Sequence, residues 1–255
     1  MKESADATLG VLDRMTQILQ AFDDQDRGLG LSELARHSGL PKSTVSRLVA
    51  TLVRHRYLER DGRLIHLGLR VFELGELARE PRELRSVALP VMLELRDATG
   101  DDVHLAIPDG GEMVCIAAVR GRSGAPSRVR VGARLPGATT APGKILLAHS
   151  RDAIPDDGSR ASSAAQTPSV FSENATLQRQ LVAIRSGELA TEDREFAPDS
   201  SSLAAAFFAP GGVLVGAISV SGRTDVFDGL RAASPLRQAA RTLTRRLASA
   251  GRLAQ

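Results

Sequence analysis

The residues best equipped for chemistry in this 255-residue chain cluster at Lys42, Ser43, Thr44, Ser46 and Arg47. Short hydroxyl donors beside two long cations suit a phosphodiester surface. Ser and Thr hydroxyls reach phosphates or base edges at close range, and an arginine can bond guanine O6 and N7 together. From Arg36 to Arg63 the sequence carries seven Lys and Arg residues against only Glu59 and Asp61, a local excess of +5, with His37 and His55 in addition. The whole chain is only +3, but phosphate attraction depends on the local field rather than on the total. Arg60 and Arg63 extend the cluster. The competing reading is an ordinary helical pair whose polar face is merely solvated.

Bond-making chemistry finds little support. His37, His55, His66, His104 and His149 lack ligand-like spacing, and Cys115 is the single cysteine, so neither a metal centre nor an intrachain disulfide is expected. No Gly-x-Ser-x-Gly elbow or Ser-x-x-Lys element accompanies the serines. Gly137 to Lys144 resembles a phosphate loop only superficially: five residues separate Gly137 from Gly143, and Ile145 stands where a magnesium-binding hydroxyl belongs. Lys144, one of three lysines, reads equally as a functional cation or as a solvated ammonium at a helix start. The expectation is therefore a binding protein without a cofactor, not an enzyme.

The elements around the basic cluster follow from periodicity. Leu9, Leu12, Met15, Leu19 and Phe22 recur every three or four residues and predict a helix over 8–24. A short helix follows from Ser32, read as its cap, to Ser38. Gly39 suits a left-handed turn, and Pro41 suits the first turn of the next helix. Within Lys42 to His55, Val45, Leu48, Val49, Leu52 and Val53 form the apolar stripe opposite the polar cluster. Tyr57–Arg60 and Arg63–Leu67, joined by Asp61-Gly62, predict a hairpin that carries Arg60 and Arg63 beside its tip. Helix, helix, turn, helix and hairpin is the order of a winged helix-turn-helix.

Beyond it, Leu69 to Arg79 reads as a helix, Pro81 as a junction, and Leu84 to Thr99 as a longer helix that Pro90 kinks or breaks. Hairpins are expected at 103–119 and 203–220, and a further strand at Arg128–Val131. Helices are expected at 143–149 and 177–185, with a Ser- and Pro-rich loop over 151–172 between them. Leu236, Ala240, Leu243 and Leu247 mark a final amphipathic helix, whose arginines read as its solvated face. Mixed strands and flanking helices make the second part α+β. The division expected is 1–80 for the winged helix-turn-helix and linker helix, and 81–255 for the second domain. Hydrophobic residues at 42% and charged residues at 25% are ordinary for a globular protein. No apolar run approaches the roughly 20 residues of a membrane helix. With no apolar leader at Met1 and one cysteine, a cytoplasmic protein without membrane contact is expected.

The segment Leu31-Ser32-Glu33-Leu34-Ala35-Arg36-His37-Ser38-Gly39-Leu40-Pro41-Lys42-Ser43-Thr44-Val45-Ser46-Arg47-Leu48 closely resembles the helix-turn-helix of IclR-family regulators. The resemblance continues through Tyr57–Arg60, Val103–Ala106, Thr140–Lys144, Glu192–Glu195 and Ala217–Gly222, and so covers nearly the whole chain. It implies a GAF-like effector domain, a homodimer or dimer of dimers, and palindromic sites on double-stranded promoter DNA. It also implies a small organic acid or aromatic metabolite as effector. Carried over residue by residue, effector contacts fall on Thr140, Ala141, Pro142, Gly143, Glu192 and Ser202.

Several of these positions depart from the family pattern. Pro142 lacks an N–H that a carboxylate would use. Glu192 replaces a common Asp, Ser202 a common Cys and Asp199 a common Gly. A helix N-terminus near Thr140 is a physically sensible place for a carboxylate, whereas an inward Asp199 would repel one. Ser219 and Ser221, two apart on a strand, face one side and are candidate lining. Two other readings stay open: a DNA-binding regulator whose second domain only mediates assembly, and a small-molecule enzyme or sensor.

Overall fold

The computed structural model describes residues 10–22, 27–122, 128–150 and 168–253; at 79–80, 168–174 and 250–253 it describes the backbone alone. The chain divides into two compact units, Met1–Arg82 and Glu83–Gln255.

The first unit contains α1 (Val11–Gln20), β1 (Leu29–Gly30), α2 (Leu31–Ser38), α3 (Lys42–Arg54), β2 (Leu58–Asp61), β3 (Leu64–Leu67) and α4 (Leu69–Gly75). The ends of the helix expected over 8–24 fall partly outside the described residues. Ile18, Leu29, Leu34, Leu40, Val45 and Ile65 are among the residues of its core. Three local expectations shift by a residue or two. Gly30, not Ser32, caps α2, and the Glu33 carboxylate accepts the Gly30 N–H at 2.9 Å. Pro41 precedes α3 as its N-cap, with an extended ψ of 138°. Asp61 pairs with Leu64, so Gly62 and Arg63 make the turn, and Gly62 takes the positive φ of 57° that a tight hairpin needs. β1 joins the hairpin on the β3 side, giving the order β1-β3-β2.

The second unit begins within α5 (Arg79–Thr99). Neither proline breaks it: Pro81 lies in the first turn, where its missing N–H has no helical acceptor, and Pro90 sits on an exposed face. There follow β4 (Asp102–Asp109), β5 (Glu112–Val119), β6 (Arg134–Leu135), α6 (Ala141–His149), α7 (Pro168–Arg185), β7 (Ala190–Asp193), β8 (Ser200–Phe208), β9 (Leu214–Arg223) and α8 (Gly229–Leu253). The strand expected at 128–131 is instead the two-residue β6, and Arg128–Val131 is irregular. Most of the expected 151–172 loop lies outside the described residues, and its end from Pro168 is helical. β7 was not expected.

Six strands form one antiparallel sheet in the order β6-β5-β4-β9-β8-β7. Alternation along each strand sorts its residues to two faces. Val103, Leu105, Leu203, Phe207, Ile218 and Val220 pack against α5 and α8. Ala106, Cys115, Ala204 and Ala217 face α6 and α7. The small side chains on this second face keep the helices close. Toward Asp102 the same face turns polar. The fold is thus a winged helix-turn-helix followed by a GAF-like mixed domain.

Candidate functional site

In the first unit the turn chemistry aims α3 outward. Gly39 ends α2 with φ +68°, and Val45, Leu48, Val49 and Leu52 anchor α3 in the core. The opposite face then carries Lys42, Ser43, Ser46 and Arg47, all exposed, with Thr44 half-buried. Among the described residues, none of these five side chains bonds another protein group. The first intrahelical bond runs from the Val45 N–H to the Pro41 carbonyl at 3.0 Å. The N–H groups of Lys42, Ser43 and Thr44 are therefore unclaimed at the positive end of the helix dipole. No acid stands in that first turn. Arg60 on β2 and Arg63 in the turn are exposed and unpaired among the described residues. Arg54, seven residues after Arg47 on the same helix face, is another exposed cation, unpaired among the described residues. Its spacing made it findable from sequence.

In the second unit a cavity of about 560 Å³ opens above the polar end of the sheet. Register builds its floor. Asp102 pairs with Ser221, Ser221 with Ser202, and Ser202 with Glu192, giving one polar row across β4, β9, β8 and β7. His104 pairs with Ser219 in the next row. All six line the cavity, as do Thr140 and Pro142 from α6. Ala141 and Gly143 do not; both are buried behind the wall. The Thr140 hydroxyl accepts the Gly143 N–H at 3.0 Å, and Pro142 has none. The helix N-terminus thus turns fewer donors toward a ligand than its position alone suggests.

Glu192, 3% exposed, is the structural hub of this wall. Its Oε1 accepts the Glu195 and Phe196 N–H groups at 3.0 and 3.2 Å, and its Oε2 accepts the Ser202 hydroxyl at 2.9 Å. Asp199 lies at the cavity rim, where Arg128 binds it at 2.5 Å and holds its carboxyl below the usual range. Its charge is therefore matched rather than aimed alone at a ligand. His104 is 2% exposed, and burial pushes its imidazole down to about 4, against the opposing pull of Asp102 and a bond to the Val129 backbone. Burial raises the Asp101 carboxyl to about 6. His104, Arg128 and Asp101 were not among the expected lining residues. The β4 alternation, which sets His104 on the face of Ala106, carried a signal for the first alone.

Lys144 is not solvated. It is fully buried, and its ammonium donates to the Thr191 carbonyl at 2.8 Å and lies 2.7 Å from the Glu195 carboxylate. Cys115 is buried, as its apolar run suggested, and burial lifts its thiol to about 11, far from a reactive thiolate. Among the described residues no group of His, Cys, Asp and Glu is placed to hold a metal ion, and no helix is long and apolar enough to cross a membrane.

Two family models match the chain: the IclR helix-turn-helix domain over residues 11–62, and the C-terminal domain of bacterial IclR transcriptional regulators over 78–246. The HTH-type transcriptional regulator XynR of Escherichia coli is 34% identical over 139 residues, 54% of this chain and 55% of that protein. The HTH-type transcriptional repressor AllR of Klebsiella pneumoniae is 28% identical and matches 86% of this chain and 82% of its own. An IclR homolog from Microbacterium hydrocarbonoxydans, solved with 4-hydroxybenzoate, superposes with a TM-score of 0.80 at 24% identity, over 94% of this chain and 100% of that one.

Proposed function

Because the chain belongs to the IclR family of bacterial DNA-binding transcriptional regulators, we propose that it controls transcription in response to a small molecule bound in the second unit. It is a regulator rather than an enzyme. In the proposed reading, α3 enters the major groove N-terminus first. Lys42, Ser43, Thr44 and Ser46 meet phosphates or base edges, Arg47 reads a base, and Arg60 and Arg63 hold the flanking backbone. A symmetric dimer, or a dimer of dimers, presents two such helices to palindromic half-sites. The observation that carries this reading is the exposed, acid-free face of α3, unpaired among the described residues.

The 560 Å³ cavity is the proposed effector site, with Thr140, Pro142, Glu192, Ser202, Ser219 and Ser221 against the ligand. The relative that binds 4-hydroxybenzoate supports an aromatic or organic acid of that size. A carboxylate there would be met by the Ser219 and Ser221 hydroxyls more than by the helix N-terminus, whose donors are reduced, because Ser202 already donates to Glu192 and the neutral His104 ring to the Val129 backbone. The ligand acts only through a difference in affinity between two arrangements of the assembly.

Footprinting on DNA upstream of the chain's own and neighbouring genes, with and without aromatic and organic acids, tests both halves. A symmetric footprint that a ligand shifts is the expected result. Ser202→Leu should abolish that shift and spare the footprint. A footprint indifferent to every ligand, with no thermal shift either, would favour a second unit that serves assembly alone.

A further inference from the structure

A different cavity, of about 790 Å³, opens elsewhere in the second unit, where β8 outruns its neighbour. β7 pairs with β8 only as far as Ala204, leaving Ala205 to Phe208 without a strand on that side among the described residues. The space is walled by Ile145 of α6, Ile184 of α7, and Ala206 and Phe208 of β8. His149 packs edge-on against Phe208, with ring centroids 5.2 Å apart. This wall is apolar and partly aromatic.

The rim is strongly cationic. Arg237, Arg241 and Arg245 line it from α8 and Arg185 from α7. Spacing of four residues puts the three α8 arginines on one stripe, spanning about 12 Å along the axis. Among the described residues, Arg185, Arg237 and Arg245 donate only to the Ala148 and Gly187 carbonyls and the Thr242 hydroxyl, and Arg241 has no partner. No carboxylate of the described residues pairs with any of the four. Arg96, Arg128, Arg134 and Arg223 of the same unit each hold one. Glu188 is the one acid that lines the cavity, and it enters no ion pair among the described residues.

The solvated-face reading of the α8 arginines accounts for their exposure but not for this arrangement. Four guanidinium groups that no carboxylate of the described residues pairs, set around an apolar hollow, match the composition of a ligand site, with a hydrophobic wall and a few convergent polar groups. We propose that the cavity binds an elongated amphipathic anion, with an apolar or aromatic body and two or more phosphate, sulfonate or carboxylate groups along it. An extended peptide added to the β8 edge fits less well. The Phe208 N–H, which such a strand would need, already donates to the Thr244 hydroxyl at 3.2 Å.

The test uses bis-ANS, an elongated aromatic disulfonate whose fluorescence rises on binding, titrated into the full chain at low and high salt. Arg241→Glu and the double variant Arg237→Glu/Arg241→Glu alter exposed positions only, and thermal melts check that both remain folded. We expect the affinity to fall about tenfold in the single variant and further in the double, with a loss in high salt, while Ser202→Leu binds as the parent does. Unchanged affinity in both arginine variants overturns the proposal. So does loss of binding in Ser202→Leu alone, which would place the probe in the sheet-floor cavity.

Discussion

Acidification should destabilise the second unit through His104, whose burial fixes the sign of the effect. The imidazole is buried on the floor of the sheet and titrates at about 4 instead of 6.5. At neutral pH it is uncharged both folded and unfolded, so its contribution is complete above about 6.5. As the pH falls toward 4 the unfolded chain binds a proton that the folded chain refuses, and stability is lost across that window. At about 1.4 kcal/mol per unit, the full loss is about 3 kcal/mol, most of it spent by about pH 4.5. Asp101 works the other way: raised to about 6, it keeps its proton in the folded state where the unfolded chain has lost it, so it favours folding as the pH drops. Because Asp101 is only half-buried, its opposing share is smaller. The assay is urea unfolding from about pH 7.5 to 4.5 for the parent, His104→Gln and Asp101→Asn. The His104→Gln curve should be flatter than the parent's on acidification and the Asp101→Asn curve steeper. Parallel curves for parent and His104→Gln would refute the buried neutral imidazole.

Three further outcomes follow from named contacts. Arg47→Ala should weaken operator affinity by roughly 5- to 150-fold per half-site, the worth of a bidentate base contact at about 1–3 kcal/mol, with little change in melting temperature because the exposed side chain makes no hydrogen bond or ion pair among the described residues; gel shifts and melts measure the two. Arg56 holds φ +64° just past α3, with its N–H on Val53 and the Tyr57 N–H on Leu52, a helix ending that favours glycine. Arg56→Gly should therefore raise unfolding free energy by about 0.5–1 kcal/mol, since the exposed Glu73 pair it forfeits is worth little. Glu192→Ala strips the acceptors from two N–H groups and the Ser202 hydroxyl and should cost about 2–4 kcal/mol in denaturant unfolding, whereas Glu192→Gln, which keeps an acceptor for the N–H pair, should cost less.

The reading head was legible because its determinants are local. The α3 stripe, the left-handed Gly39 and the hairpin turn each lie within a dozen residues, and errors there were shifts of one or two residues that only hydrogen bonds resolve. The second unit was legible in outline, but β7 was not. Ala190-Thr191-Glu192-Asp193 has little strand character of its own and pairs because β8 offers an edge. The polar floor is harder still. Its row joins Asp102, Ser221, Ser202 and Glu192, and no spacing rule assembles residues so far apart before the registers are known. Ser219 and Ser221 were recognised as sharing a face, but their neighbours across the strands were not.

Lys144 shows what a local reading loses and why it matters for the cavity. A cation in the first turns of a helix opposes the helix dipole, so solvent was the natural place for it. Yet seven of the nine residues of α6 are buried, Lys144 among them. Glu195, 51 residues on, supplies the carboxylate that makes this tolerable. That bond ties α6 to the 194–199 segment, and Glu192 ties the same segment to β8 through Ser202. Two walls of the cavity are thus held by polar bonds to a buried Lys144 and a buried Glu192, which their loss would leave unsatisfied. The remaining contact across the mouth, Arg128 to Asp199, joins side chains that are both more than half exposed, and an exposed pair is worth only about 0–1 kcal/mol. If the cavity takes the proposed effector, rearrangement on its entry is therefore cheapest at the Arg128–Asp199 rim and dearest at the Lys144–Glu195 wall.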